Sequence, residues 1–232
     1  MKLVGRLSKT EYIIWFISLI IVTVTHFLSP QKDWLNFVAS LIGVTSLILI
    51  ARGYPLGMLV CVIFGLVYAI TSYNSGYYGE MITYAGMTAP VSLFSFIVWL
   101  KNPYGNTAEV KIKKLTIKNF AVLIILTIAI TVGFFFILRA LNTTNLIVST
   151  ISIATSFLAV ALTILRSPYY AIAYSLNDVV LIVLWIIQSL TDTSYLTIVA
   201  CFAVFLVNDL YGFISWKRRE KLQKKNVIDE KE

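Results

Sequence analysis

The sequence predicts an all-α integral membrane protein of about eight transmembrane helices: an N-terminal helix, then two parallel three-helix repeats joined by a linker helix. Three observations predict it. Apolar residues make up 59% of the 232 and charged residues only 13%, where soluble domains carry about 45–50% and about 25%. The apolar residues come in long blocks of Leu, Ile, Val and Phe, not in the roughly ten-residue alternation of a lipid-facing strand, which excludes an outer-membrane barrel. Three short sequence blocks also recur in the same order in the two halves of the chain.

A spanning helix needs roughly 20 apolar residues. The first span is Tyr12–Leu28. Lys2, Arg6 and Lys9 precede it as in a signal peptide, but Phe27-Leu28-Ser29-Pro30 lacks a small-x-small cleavage pattern, so the span is read as retained. Leu35–Ala51, Leu56–Tyr73 and Met81–Leu100 follow, then Phe120–Leu141 after a basic loop. Leu146–Leu165, Tyr169–Leu190 and Tyr195–Trp216 complete the eight. Lys and Arg mark the cytoplasmic side. Eight crossings with both termini inside place 17 of the 19 basic residues on that side and leave Lys32 and Arg139 opposite. If the first span did not cross, the split would weaken to 14 against 5. The basic residues therefore act as topology signals, and the net charge of +8 does not indicate nucleic acid.

The repeat rests on three blocks. Leu93, Phe96, Ile97 and Trp99 align with Leu210, Phe213, Ile214 and Trp216. Arg52 and Pro55 open the third span as Arg166 and Pro168 open the seventh. Val38-Ala39-Ser40 with Thr45-Ser46 resembles Val148-Ser149-Thr150 with Thr155-Ser156. Spans 2–4 thus recur as spans 6–8. Span 5 is the extra crossing that makes the copies parallel, a transporter design with substrate near the midplane between repeats. The units read as residues 1–33, a first repeat 34–103, a loop and linker helix 104–145, a second repeat 146–216 and a tail 217–232.

Polar side chains in apolar helices are functional candidates by default. Tyr174, Asn177 and Asp178 stand at i, i+3 and i+4 on span 7, and Asn208, Asp209 and Tyr211 lie on span 8. Amide, carboxylate and phenol together suit a small molecule with hydroxyls and a flat heterocycle. Tyr84, Thr88 and Ser92 continue a four-residue stripe from Glu80, and Asn74 and Glu80 read as gate or entrance residues. The competing reading is interhelical bonding for Asn177 and Asn208, and a structural acid at Asp178 and at Asp209. Tyr73, Tyr77, Tyr78, Trp99 and Trp216 sit at span ends and read as interface-belt aromatics. Cys61 and Cys201 lie inside apolar runs and read as packing residues, and His26 has no ligand-spaced partner, so no metal or cofactor is expected. Phosphate-loop, GxSxG and HExxH motifs are absent, and neither Asp178 nor Asp209 has the Gly-rich surroundings of an aspartyl enzyme. The chain reads as a non-enzyme.

Tyr78-Gly79-Glu80-Met81, Trp99-Leu100-Lys101-Asn102-Pro103 and Asn208-Asp209-Leu210-Tyr211-Gly212-Phe213-Ile214-Ser215-Trp216 resemble the PnuC-type vitamin transporter family, whose best-known members carry nicotinamide riboside. The resemblance covers span 2 to the basic end of span 8 and includes the family's NxxY substrate pattern, here Asn208 and Tyr211. It implies a SWEET-like arrangement, facilitated diffusion of a nucleoside, trapping by a cytoplasmic nucleoside kinase and a homotrimer in the cell membrane. The family's WxxW pattern falls on Ala171 and Tyr174, which leaves one aromatic and keeps thiamine and ribo- or deoxyribonucleosides as alternative cargoes. Proton-coupled symport through Asp178 is a further alternative, and a non-transporting receptor docking through its tail is a third class, although the tail's mixed basic and acidic residues read more simply as a solvated positive-inside anchor.

Overall fold

The computed structural model describes residues 3–30 and 32–229. Among them are eight helices long and apolar enough to cross a membrane. Their bounds are α1 Lys9–Leu28, α2 Trp34–Ala51, α3 Pro55–Asn74, α4 Tyr78–Leu100, α5 Ile117–Ala140, α6 Leu146–Ile164, α7 Tyr170–Ser189 and α8 Leu196–Asp229. Each predicted span falls on one of them. Lys2, Lys231 and the tail's last residues, 230–232, lie outside the described residues.

Local chemistry sets several starts. Ser8 caps α1 in a capping box with Glu11, Asp33 caps α2 through the Asn36 amide, and Thr116 caps α5 through the Asn119 amide. Pro55 enters α3 in its first turn, where a missing N–H costs nothing. α4 is not regular: Thr83–Thr88 forms a π turn between α-helical segments. Such turns are uncommon and recur at functional sites.

Two three-helix units make the bundle. α3 packs on α2 and α4 in one, and α7 packs on α6 and α8 in the other. The first helix of each unit meets the third helix of the other, α2 with α8 and α4 with α6. α1 lies against α2 and α8. α5 lies against α6 and buries only Leu123 and Leu138, as a helix facing lipid on most sides should.

The exchange between units is locked by a matched pair of bonds. Trp216 on α8 donates its indole N–H to the Ile50 carbonyl at the end of α2 (2.9 Å), and Trp99 on α4 donates to the Thr163 carbonyl at the end of α6 (3.2 Å). Each indole is a second donor to a last-turn carbonyl that also closes the turn after the helix, Ile50 with Gly53 N–H and Thr163 with Arg166 N–H. The two rings lie 5.3 Å apart, and both side chains are fully buried. The interface-belt reading is therefore corrected for Trp99, Trp216 and Tyr77, which are inside the bundle; Tyr73 remains exposed.

The basic end is stitched by the loop before α5. Val110 N–H bonds the Gly53 carbonyl, Lys113 N–H bonds the Arg166 carbonyl, and Gln223 on α8 bonds both Val110 O and Ile112 N–H. The reading of the tail as solvated thus needs correction up to Gln223, because α8 continues past Trp216 and its next turns hold this loop.

Candidate functional site

A narrow cavity lies where the two units meet. The first unit lines it with Gly43 and Ser46 of α2, Cys61 and Phe64 of α3, and Tyr84 and Thr88 of α4. The second supplies Tyr170, Tyr174 and Asp178 of α7, and Phe205 and Asp209 of α8. Tyr174 and Asp178 are four residues apart, so one face of α7 presents both. The π turn contains Tyr84 and Thr88 and brings both to the cavity. Gly43 has no room for a side chain: a Cβ there would stand 2.3 Å from the Phe205 ring and 3.1 Å from Phe64.

Asp178 and Asp209 face each other within hydrogen-bonding reach. Above them stands an aromatic stack. Tyr68 and Tyr84 lie 4.4 Å apart between centroids, Phe64 lies 5.7 Å from each, and Phe205 lies 5.4 Å from Phe64. Trp185 donates its indole N–H to the Tyr68 hydroxyl (2.7 Å) and packs on Tyr77. Tyr77 in turn lies 3.0 Å from the Gln188 amide oxygen and accepts from Asn145 (3.2 Å). This column closes the bundle at the end opposite the basic loops.

The basic end is closed by Trp99, Trp216 and Tyr170 and, beyond them, by a ring of charge. Glu11 pairs with Arg52 (3.4 Å) and Arg219 (3.3 Å), and Glu109 pairs with the same two arginines. Burial works against the Arg52 charge, but the Tyr54 hydroxyl, Glu11 and Glu109 outweigh it and hold its pKa above the ordinary arginine value. The ring borders a separate pocket of about 490 Å³ that includes Ser8, Tyr211 and Arg218.

The central cavity itself measures about 40 Å³. That holds a few waters at most, whereas sites for ligands of drug size run to about 300–1,000 Å³. With both ends sealed, the conformation is closed around its polar centre.

Of the sequence candidates, the structure brings Tyr84, Thr88, Tyr174, Asp178 and Asp209 together. The others lie elsewhere in this conformation. Asn177 accepts hydrogen bonds from Thr155 (2.8 Å) and Ser156 (2.9 Å) of α6. Asn208 donates to Ser18 of α1 (2.9 Å) and to the Val204 carbonyl (2.8 Å). The physical reason is helical phase. Neighbouring residues are turned by about 100°, so an α7 that aims Asp178 inward aims Asn177 at α6, and an α8 that aims Asp209 inward aims Asn208 at α1. Tyr211 borders the charge-ring pocket, Ser92 is buried beside Cys61, and Glu80 is buried facing Ser152. Asn74 is exposed at the end of α3.

Sequence reasoning missed Gly43, Ser46, Phe64, Tyr170 and Phe205. Gly43 and Ser46 at i, i+3 on an apolar helix carried a usable signal; the aromatic residues carried none. Among the described residues no three His, Cys, Asp or Glu side chains gather to hold a metal.

The profile of the nicotinamide mononucleotide transporter family matches residues 33–218. Two relatives are described as nicotinamide riboside transporter PnuC. The one from Neisseria mucosa is 24% identical over 213 residues, covering 90% of this chain and 81% of the relative. The one from Haemophilus influenzae is 24% identical over 218 residues, covering 92% of each. The crystal structure of the vitamin B3 transporter PnuC superposes with a TM-score of 0.84 at 25% identity, covering 95% of this chain and 96% of that one.

Proposed function

The chain belongs to the nicotinamide mononucleotide transporter family, and we propose that it imports a nucleoside-like vitamin or nucleoside, nicotinamide riboside or a related ribo- or deoxyribonucleoside, by facilitated diffusion. One observation carries the reading: a polar and aromatic cavity at the meeting of two three-helix units, sealed separately at each end. Units 34–103 and 146–216 act as parallel repeats that rock about the Trp99–Trp216 contact, opening one seal while the other holds. The basic end and both termini are cytoplasmic. The Tyr77–Gln188 seal, with Asn74 at its mouth and Glu80 below it, is the outer gate.

Tyr84, Thr88, Tyr174, Asp178 and Asp209 contact the substrate. Asn177, Asn208, Tyr211 and Ser92 position the helices that carry them. At the first WxxW position, Ala171 packs under Gly212, so Tyr84 and Tyr174 supply the aromatic walls. A cytoplasmic nucleoside kinase traps the cargo by adding a charge the cavity does not accept. The working unit is a homotrimer.

Uptake into proteoliposomes tests this. Radiolabelled nicotinamide riboside, competed by thiamine and by ribo- and deoxyribonucleosides, should equilibrate across the membrane and rise no further under an imposed pH gradient. Competition by thiamine alone would move the cargo to that branch. The facing pair Asp178 and Asp209 favours a second reading, proton-coupled symport, which predicts accumulation above equilibrium under the gradient.

A further inference from the structure

Each three-helix unit carries one arginine in the turn between its first and second helices, Arg52 and Arg166. Arg52 is answered by carboxylates, Glu11 of α1 and Glu109 of the loop before α5. Arg166 is not. The ion pairs among the described residues engage Arg52, Arg219, Lys217 and Lys224, and burial alone, with no acid to oppose it, lowers the Arg166 pKa from the ordinary arginine value. The sequence supplies the reason. α5 starts on the same kind of cap as α1, with Thr116 in the place of Ser8, but its third residue is Asn119 where α1 has Glu11. No Asp or Glu occurs between Glu109 and Asp178, a stretch that brings Lys111, Lys113, Lys114, Lys118 and Arg166 to the basic end. The Arg166 backbone is left-handed, with φ +55°, in the turn where the first unit uses Gly53 at +78°. Residues with a side chain are uncommon in that region.

Beside this arginine the bundle surface carries an apolar groove of about 420 Å³, with α5 and α7 as its walls and α6, on which both pack, as its floor. Phe120, Leu158, Leu162, Tyr169, Ile172 and Leu176 line it. Leu158 and Leu176 stand six residues inside their helices, so the groove runs about 9 Å along the helix axes from the turn that holds Arg166. Its mouth lies at the N-termini of α5 and α7, whose free amides and dipoles favour an anion.

From this geometry we infer that the groove binds an anionic phospholipid of the leaflet at the basic end, with the phosphate on Arg166 and the first part of one acyl chain between α5 and α7. Charge sets the class of ligand. An arginine without a carboxylate, in a stretch without acids and beside two helix N-termini, is complementary to a phosphodiester, and the apolar walls below it are complementary to the chain. The lipid gives the second unit the counter-charge that Glu11 gives the first. It also fills the side of α5, a helix that buries only Leu123 and Leu138 in the protein. The inference goes beyond the transport reading and does not depend on the cargo.

The test is native mass spectrometry of the full chain in neutral detergent, titrated with dioleoyl phosphatidylglycerol or with dioleoyl phosphatidylcholine. The wild-type chain should retain the anionic lipid about fivefold better, the fold-change of the roughly 1 kcal/mol that a basic residue contributes at an anionic membrane surface. R166Q should remove the preference. L176W, which fills the groove and leaves Arg166 in place, should lower retention of the anionic lipid, and R139Q at the other end of α5 should change nothing. Equal retention of the two lipids by the wild-type chain overturns the inference, as does a preference that survives R166Q. Loss of the preference in inorganic phosphate would assign the site to a free anion and overturns it too. Disulfide-linked dimers formed in membranes by Leu176→Cys, in a chain with Cys61→Ala and Cys201→Ala, would show a second copy on the groove in place of lipid. The wild-type comparison and L176W decide the matter even where R166Q fails to fold.

Discussion

The two three-helix units share a frame and differ in what they carry. Each sends the indole of its third helix onto the last turn of the other's first helix, Trp216 to Ile50 and Trp99 to Thr163, so the mechanical contact is reciprocal. The walls they turn to the cavity are unlike. The first unit contributes a glycine, small polar groups, Phe64 and a π turn with Tyr84 and Thr88, while the second contributes both carboxyls. A matched frame suits two bodies rocking against each other, and an unmatched lining suits one particular cargo. Frame and chemistry are thus built from different residues and can be broken separately.

The largest expected effect is on the chemistry. Asp178→Leu with Asp209→Leu should reduce nicotinamide riboside uptake by more than a hundredfold in proteoliposomes while insertion, followed by gel filtration in detergent, stays normal. Thr88→Val on the opposite wall should cost far less. Gly43→Ala comes next, since its Cβ would collide with Phe205 at 2.3 Å. Overpacking of this kind costs about 1–3 kcal/mol, read as a lowered melting temperature together with slowed uptake. The frame gives the sharper comparison: Trp99→Phe and Trp216→Phe each remove an indole donor from a carbonyl that keeps its turn bond from Arg166 or Gly53 N–H, a loss of about 0.5–1.5 kcal/mol. Reciprocity requires similar destabilisation for both, and a large effect from only one would show that the units do not bear on each other equally. The smallest effect is Thr155→Val, which removes one of two bonds to Asn177. It should cost about 0.6 kcal/mol, the mean for such bonds in membranes, with substrate affinity unchanged in a binding titration.

Much of the frame was legible because the membrane imposes long apolar blocks, and the eight spans and their basic loops follow from that alone. The rotation of each helix was not legible. Helices apolar on all sides offer no stripe to fix their phase, so Asn177 and Asp178, or Asn208 and Asp209, were equally good candidates until tertiary packing chose the acids. The π turn also left no local mark, although Tyr84 and Thr88 were singled out by spacing. Trp99 and Trp216 were read for their positions at span ends, where belts form, but their partners lie 64 and 166 residues away and only the fold supplies them. The tail misled for a similar reason. Its charges suggest solvent, and the contact that orders it runs through the uncharged Gln223.

The rocking of one unit against the other is the central claim, and a reversible clamp across the outer seal tests it most directly. Tyr77→Cys with Gln188→Cys, in a chain with Cys61→Ala and Cys201→Ala, allows a short cleavable thiol cross-linker to join the loop before α4 to the end of α7, where the native side chains touch at 3.0 Å. Uptake should stop on quantitative cross-linking and return when the linker is reduced. Unchanged uptake through the clamped protein would contradict the account.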